Sequence, residues 1–179
     1  QRALVRAVGV SNFTAAELRE AHAALARHGV PLAAQQVRYS ALDRAPERDG
    51  VLDACRELGV TLLAYSPLAQ GVLAGAYTVE RPPPGPRAAL PAFAPERLRA
   101  AAPLVALLRA IGAAHGGRGP EQAALNWLRA KPGVIPVVGA TSGEQARRCA
   151  ASLEWSLTPD EVARVDALSA SLDALVPPG

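Results

Sequence analysis

The chain has 179 residues, half of them hydrophobic and 20% charged, with a formal net charge of +3, enough for one globular domain with a real core and too apolar for wholesale disorder. Lys131 is the only lysine, and the arginines are scattered along amphipathic segments beside just two phenylalanines, a poor pattern for a nucleic-acid surface. Cys55 and Cys149 lie far apart without CxxC spacing, which argues against a disulfide framework and a zinc site.

No apolar stretch is long enough for a membrane span, and no signal-peptide layout opens the chain, so a soluble intracellular protein is expected. Asn12-Phe13-Thr14 matches a glycosylation sequon, read as coincidence in that setting. The chain contains no methionine and begins Gln-Arg-Ala-Leu-Val, close to its first apolar run, so it reads as a fragment.

Four short apolar runs, Leu4–Val10, Pro31–Val37, Val60–Ala64 and Val134–Val138, predict buried parallel strands. After the first, Thr14-Ala-Ala-Glu17 forms a capping box, and Leu18, Ala21 and Leu25 repeat at helical spacing until Gly29. After the second, Val51, Leu52, Cys55 and Leu58 line a helical face that Gly59 ends. Gly71–Pro95, with Arg81-Pro-Pro-Pro-Gly-Pro-Arg87, is too rich in Gly and Pro for regular structure and suits a functional lid or a disordered insertion. Helices are predicted over Glu96–His115 and Pro120–Ala130. Two more open at Ser142-Gly-Glu-Gln145 and Thr158-Pro-Asp-Glu161. The order β-α-β-α-β-loop-α-α-β-α-α implies parallel strands with right-handed crossovers. It fits half of a (β/α)8 barrel, with a flavodoxin-like open sheet as the rival.

In such folds ligands gather at the carboxyl ends of strands. Those ends carry Ser11 and Asn12; Gln36; Tyr65, Ser66, Pro67 and Leu68; and Gly139, Ala140, Thr141 and Ser142. Ser, Asn and Gln pair with a carboxamide, a Tyr ring offers a flat face, and a helix N-terminus at Ser142 attracts an anion. Together these features describe a nicotinamide-nucleotide site. Taken singly, each has a plain alternative as a cap, a turn or a packed aromatic.

Gly9-Val-Ser-Asn-Phe13, Gln36-Val-Arg-Tyr-Ser40, Ala64-Tyr-Ser-Pro-Leu-Ala-Gln-Gly71 and Ile135-Pro-Val-Val-Gly-Ala140 with Glu144-Gln145 resemble the aldo/keto reductase family, in the order of its strands five to eight. The likeness covers nearly the whole chain. It implies that residues 1–179 are the C-terminal half of a TIM-barrel oxidoreductase domain, with 71–95 a loop inside it. Its motif forms look more like plant and bacterial oxidoreductases and channel β-subunits than aldose reductases. The resemblance implies that Ser11, Asn12 and Gln36 hold the carboxamide and that Tyr65 stacks under the nicotinamide. Ser66, Leu68 and the loop beyond Gly71 would cover the pyrophosphate, and Ser142 and Gln145 would reach the adenosine end. The family often has Lys or Arg where Thr141 stands, and a Glu and an Asn where Arg148 and Cys149 stand. Arg147 or Arg148 is then the candidate partner for the 2′-phosphate of NADP, with NAD also possible.

The family's Tyr, Lys, Asp and His come from its first four strands, so no catalytic residue is assigned. Lys131, His22, His28 and His115 read as surface or packing groups, and Tyr39 and Tyr77 have no obvious partner. The implied activity is reduction of small aldehydes or ketones by NAD(P)H in the full-length protein, with no nucleic-acid or membrane partner. A cofactor-binding regulatory subunit and an inactive truncated product are the alternatives. A cytoplasmic location is expected, or a plastid one if a transit peptide was lost.

Overall fold

The computed structural model describes residues 4–173, so the two ends of the predicted 1–179 domain lie outside the described residues. The elements run β1 (Val8–Ser11), α1 (Ala15–Ala26), β2 (Leu32–Arg38), α2 (Ala45–Arg48), α3 (Val51–Leu58), β3 (Thr61–Tyr65), α4 (Pro95–Ala114), α5 (Pro120–Arg129), β4 (Val134–Val137), α6 (Gly143–Ala150) and α7 (Pro159–Asp173). The predicted order holds, with the short α2 added. The first strand starts later than its apolar run: Leu4 and Val5 precede it and are exposed. Apolar residues without neighbours across a sheet are no strand, whatever their β-propensity.

All neighbouring strands are parallel, in the order β1-β2-β3-β4. A flavodoxin-like sheet reverses its winding at a switch point; this one winds in a single direction, as a barrel does. Register sorts the side chains into two faces. Val10, Gln35, Leu62 and Val134 lie across from one another and face the helices. Ser11, Gln36, Leu63 and Ile135 lie in register on the opposite face. The contrast is sharp: Leu62 is fully buried, whereas Ile135 is 53% exposed. Helices cover one face only, and a barrel interior is the surface left open.

Local chemistry sets the helix ends. Thr14 and Glu17 cap α1 reciprocally, as the pattern predicts. Gly59 ends α3 in the left-handed conformation (φ +67°), where a side chain would be strained. Gly112 in α4 is required by space: a Cβ there would lie 2.3 Å from the carbonyl oxygen of Arg118, so any side chain would push α4 off the turn leading into α5. α1 stops at Ala26, which leaves His28 in the following turn rather than on the helix. Residues 71–95 are more ordered than their composition predicts. Short 3₁₀ turns form at Gly85–Ala89 and Pro91–Phe93, and Val72, Phe93, Leu98 and Ala101 make a small core of their own.

A polar network fastens α7 to the barrel wall. Trp127, fully buried on α5, donates its indole N–H to Asp166 Oδ1 at 3.1 Å. Lys131 Nζ lies 2.7 Å from the same oxygen and 4.6 Å from the centre of the Trp127 ring. Arg44 reaches Asp166 at 3.4 Å and donates to its backbone carbonyl at 3.0 Å. Arg44 also pairs with Glu47, which accepts the Tyr39 hydroxyl. Tyr39 therefore has partners after all: it is fully buried, edge-on to Trp127 at 5.7 Å, and its burial and the Glu47 carboxylate hold its phenol above the ordinary range. Ser169, buried on α7, donates to the Ala41 carbonyl at 2.7 Å. Cys55 is free and buried, and burial pushes its thiol up to about 11.

Asp166→Ala would leave two largely buried cations without their shared acceptor, and is expected to lower stability by about 2–3 kcal/mol in urea unfolding. Burial alone would raise the Glu47 pKa, but hydrogen bonds from Arg44 and Tyr39 more than offset it and hold the carboxyl below the usual range. A depressed carboxyl contributes stability above its unfolded-state value and loses it as pH falls through the folded one. The unfolding midpoint is therefore expected to drop below about pH 4, with a shallower slope in Glu47→Gln.

Candidate functional site

The carboxyl ends of β1, β2 and β3 converge on one cluster. Ser11 Oγ donates to the Gln36 carbonyl at 3.0 Å, and the Asn12 backbone N–H donates to the same oxygen at 2.9 Å. Asn12 is left-handed (φ +58°), a conformation asparagine tolerates better than most residues. From the helix-facing side, buried Gln35 donates its amide to the Phe13 carbonyl at 2.7 Å and so fixes the β1–α1 loop. Tyr65 on β3 reaches across the end of β2, its hydroxyl donating to Asn12 Oδ1 at 3.2 Å. Among the described residues the Asn12 amide N–H₂ has no hydrogen-bond partner. Among the described residues the Gln36 side-chain amide has no hydrogen-bond partner, although it sits half-buried in register with Ser11. A cavity of about 560 Å³ follows β4 beneath α6, and one of about 340 Å³ opens below Tyr65 between the β1–α1 and β2–α2 loops.

Beyond Tyr65 the backbone is strained. Ser66 (φ +53°), Ala69 (φ +47°) and Gln70 (φ +57°) are all left-handed, each costing about 1–2 kcal/mol, and Gly71 follows at φ +100°. Strain of this kind collects at ligand sites. The turn is held by Ala69 N–H to the Ser66 carbonyl and Gly71 N–H to the Leu68 carbonyl, both at 2.9 Å, over buried Pro67. Arg87 ties the Gly/Pro-rich segment back to it. Its guanidinium donates to the Gln70 carbonyl at 3.3 Å and lies over the rings of Tyr77 (5.7 Å) and Phe93 (5.3 Å). Tyr77 thus gains two partners that its sequence setting does not reveal, Arg87 and the edge-on Phe93.

Past β4, Thr141, Ser142 and Gln145 form the start of α6. Gln145 Oε1 accepts from the Thr141 N–H (2.8 Å) and hydroxyl (3.0 Å), and Ser142 Oγ accepts the Gln145 N–H at 3.2 Å. The two candidate arginines part here. Arg148 turns toward Glu121 at 3.4 Å and Glu144 at 3.9 Å. Arg147 folds back along the first turn, where a Cβ on Gly143 would meet its Nη1 at 3.5 Å, and among the described residues it has no ion-pair partner.

The other polar candidates lie elsewhere. Lys131 belongs to the Asp166 network. His115 hydrogen-bonds Glu161 at 2.9 Å and stacks on Trp155 at 4.6 Å, which joins α4 to α7. His22 lies half-buried on α1. Among the described residues no cluster of His, Cys, Asp and Glu could hold a metal, and no helix is long and apolar enough to cross a membrane.

The cluster fits a nicotinamide nucleotide on its own chemistry: amide-pairing groups, one unpartnered, beside an aromatic ring, a strained turn and a capped helix N-terminus. Comparison with known proteins gives the family. The sequence model described as "Aldo/keto reductase family" matches residues 2–170. The chain is 38% identical over 161 residues to the chloroplastic pyridoxal reductase of Arabidopsis thaliana, covering 90% of this chain and 43% of that protein. It is 44% identical over 141 residues to an uncharacterized oxidoreductase of Mycobacterium bovis, covering 79% and 42%. A thermostable aldo-keto reductase, solved with the inhibitor epalrestat, superposes with a TM-score of 0.70 at 31% identity, covering 93% of this chain and 50% of its own. The chain therefore spans about half the length of the relatives it matches.

Ser142→Ala removes the cap of exposed α6 and is expected to cost about 1 kcal/mol locally, read as roughly five-fold faster amide exchange at residues 143–146.

Proposed function

We propose a function from one premise: the chain belongs to the aldo/keto reductase family, whose members are oxidoreductases. On that premise it supplies the nicotinamide-nucleotide half of an NAD(P)H-dependent enzyme that interconverts small aldehydes or ketones with alcohols. The observation that carries this is the convergence of Ser11, Asn12, Gln36 and Tyr65 at one end of a parallel sheet, joined by the Tyr65–Asn12 hydrogen bond.

In this assignment Asn12 donates its amide to the carboxamide oxygen, and Gln36 uses its unpartnered side chain on the carboxamide N–H₂. The Ser11 hydroxyl, already bound to the Gln36 carbonyl, keeps that pair in register. The Tyr65 ring presents one face of the nicotinamide outward and shields the other. Ser66, Pro67, Leu68 and Gly71 form the turn against which the pyrophosphate lies, with the Arg87-pinned loop alongside. Thr141, Ser142 and Gln145 take the adenosine end. Arg148, engaged with Glu121 and Glu144, is a weaker choice for the 2′-phosphate than Arg147. The bound nucleotide would supply the hydride; the proton donor belongs, by resemblance, to the half of the barrel that this chain does not carry. Pyridoxal, named in the Arabidopsis relative, is a small aromatic aldehyde and accords with that substrate class.

The test is titration of the 179-residue chain with NADPH and NADH, followed by nucleotide fluorescence and thermal shift. Binding with a preference for NADPH is expected. Tyr65→Ala should weaken both nucleotides about ten-fold. Arg147→Ala should weaken NADPH alone by about ten-fold or more, whereas Arg148→Ala changes neither. A wild-type chain that is folded and binds neither nucleotide would overturn the proposal.

A further inference from the structure

Arg38 is the last residue of β2 and shares a face with Gln36, two residues earlier. Its register partner on β3 is Tyr65. Paired strands are about 4.8 Å apart, so the base of the Arg38 side chain stands one strand away from the proposed stacking ring, just beyond the proposed carboxamide partner. The side chain is 47% exposed, and the only ion partner it has among the described residues is Asp43, at 4.0 Å. That pairing is loose. Arg38 also lines the cavity beneath Tyr65, together with Asn12, Asp43 and Asp49. The two carboxylates are partly committed to the backbone: Asp43 accepts from the Ala45 N–H at 3.3 Å, and Asp49 from the Val51 N–H at 3.1 Å. Among the described residues lining this cavity Arg38 is the one cation, and its ion partner stands 4.0 Å away.

Such a charge acts differently on the two redox forms of a nicotinamide. The ring is neutral when reduced and carries +1 when oxidised, while the phosphates are the same in both. A nearby guanidinium therefore penalises the oxidised form and leaves the reduced form nearly untouched. We propose that Arg38 is a specificity-determining residue that biases the site toward the reduced nucleotide, with Asp43 partly cancelling it. This rests on the nucleotide site proposed above. At roughly 8 Å and a solvent-like effective dielectric, the bias is about two- to five-fold in relative affinity.

The experiment measures Kd for NADPH and NADP⁺ on the same 179-residue chain and compares their ratio across variants. Arg38→Gln should lower Kd(NADP⁺)/Kd(NADPH) by about two- to five-fold. Arg38→Lys should hold the ratio near wild type. Asp43→Asn keeps an oxygen for the Ala45 N–H and should raise the ratio. Opposite shifts for Arg38→Gln and Asp43→Asn would support the proposal, because loss of loop packing moves both variants the same way. It is overturned if Arg38→Gln weakens both nucleotides equally, since Arg38 would then be touching a phosphate. It is also overturned if the ratio stays fixed in every variant. A wild-type chain that binds neither nucleotide overturns the site itself, and Arg38's role with it.

Discussion

Parallel strands cannot be joined by tight turns; each must be left at its carboxyl end and re-entered from the opposite edge through a crossover. The placement of the strand-end residues in this chain follows from that constraint. Four strands wound in one direction place Asn12, Arg38, Tyr65 and the Thr141–Ser142 turn at a common edge, although they are scattered over some 130 residues of sequence. The same winding sends the helices to one face and leaves Gln36, Leu63 and Ile135 on the other. Ser11 and Gln36 therefore stand on the face that the helices leave open, the inner side of a (β/α)8 wall.

Rigidity around that edge comes from hydrogen bonds between the loops and the strands that form it. Gln35 anchors the β1–α1 loop from beneath, and the Tyr65 hydroxyl spans from β3 to Asn12. Arg87, enclosed by two aromatic rings, holds a segment whose composition alone predicts no regular structure. Ordered loops of this kind bring fixed donors to the rim of a sheet without lengthening its strands. The left-handed residues after β3 are strained only because their surroundings hold them.

Further from the edge, one carboxylate organises the packing of the C-terminal helix. Asp166 draws in Trp127, Lys131 and Arg44, and through Arg44 it connects to Glu47 and Tyr39. Segments more than a hundred residues apart are thereby locked together, which explains why the sole lysine is structural. The long separation also explains why nothing in the sequence pairs these groups.

Much of the fold was legible in the residues themselves. The Thr14–Glu17 box, the Gly59 stop, the Ser142 cap and the four apolar runs are local properties of a chain, settled by backbone hydrogen bonding within a few residues. They determined the order of elements and the residues standing at strand ends, and the ordered motifs pointed to the family. Tertiary structure decided the rest. It chose the sequential strand order over the doubly wound one, trimmed Leu4 and Val5 from the first strand, and gave Tyr39 and Tyr77 their partners. It also turned Arg148 toward Glu121, left Arg147 over the start of α6, and set Arg38 beside Tyr65. The reason is physical: periodicity and capping are felt over one or two turns of chain, whereas the neighbours of a long charged side chain are fixed only when distant elements pack.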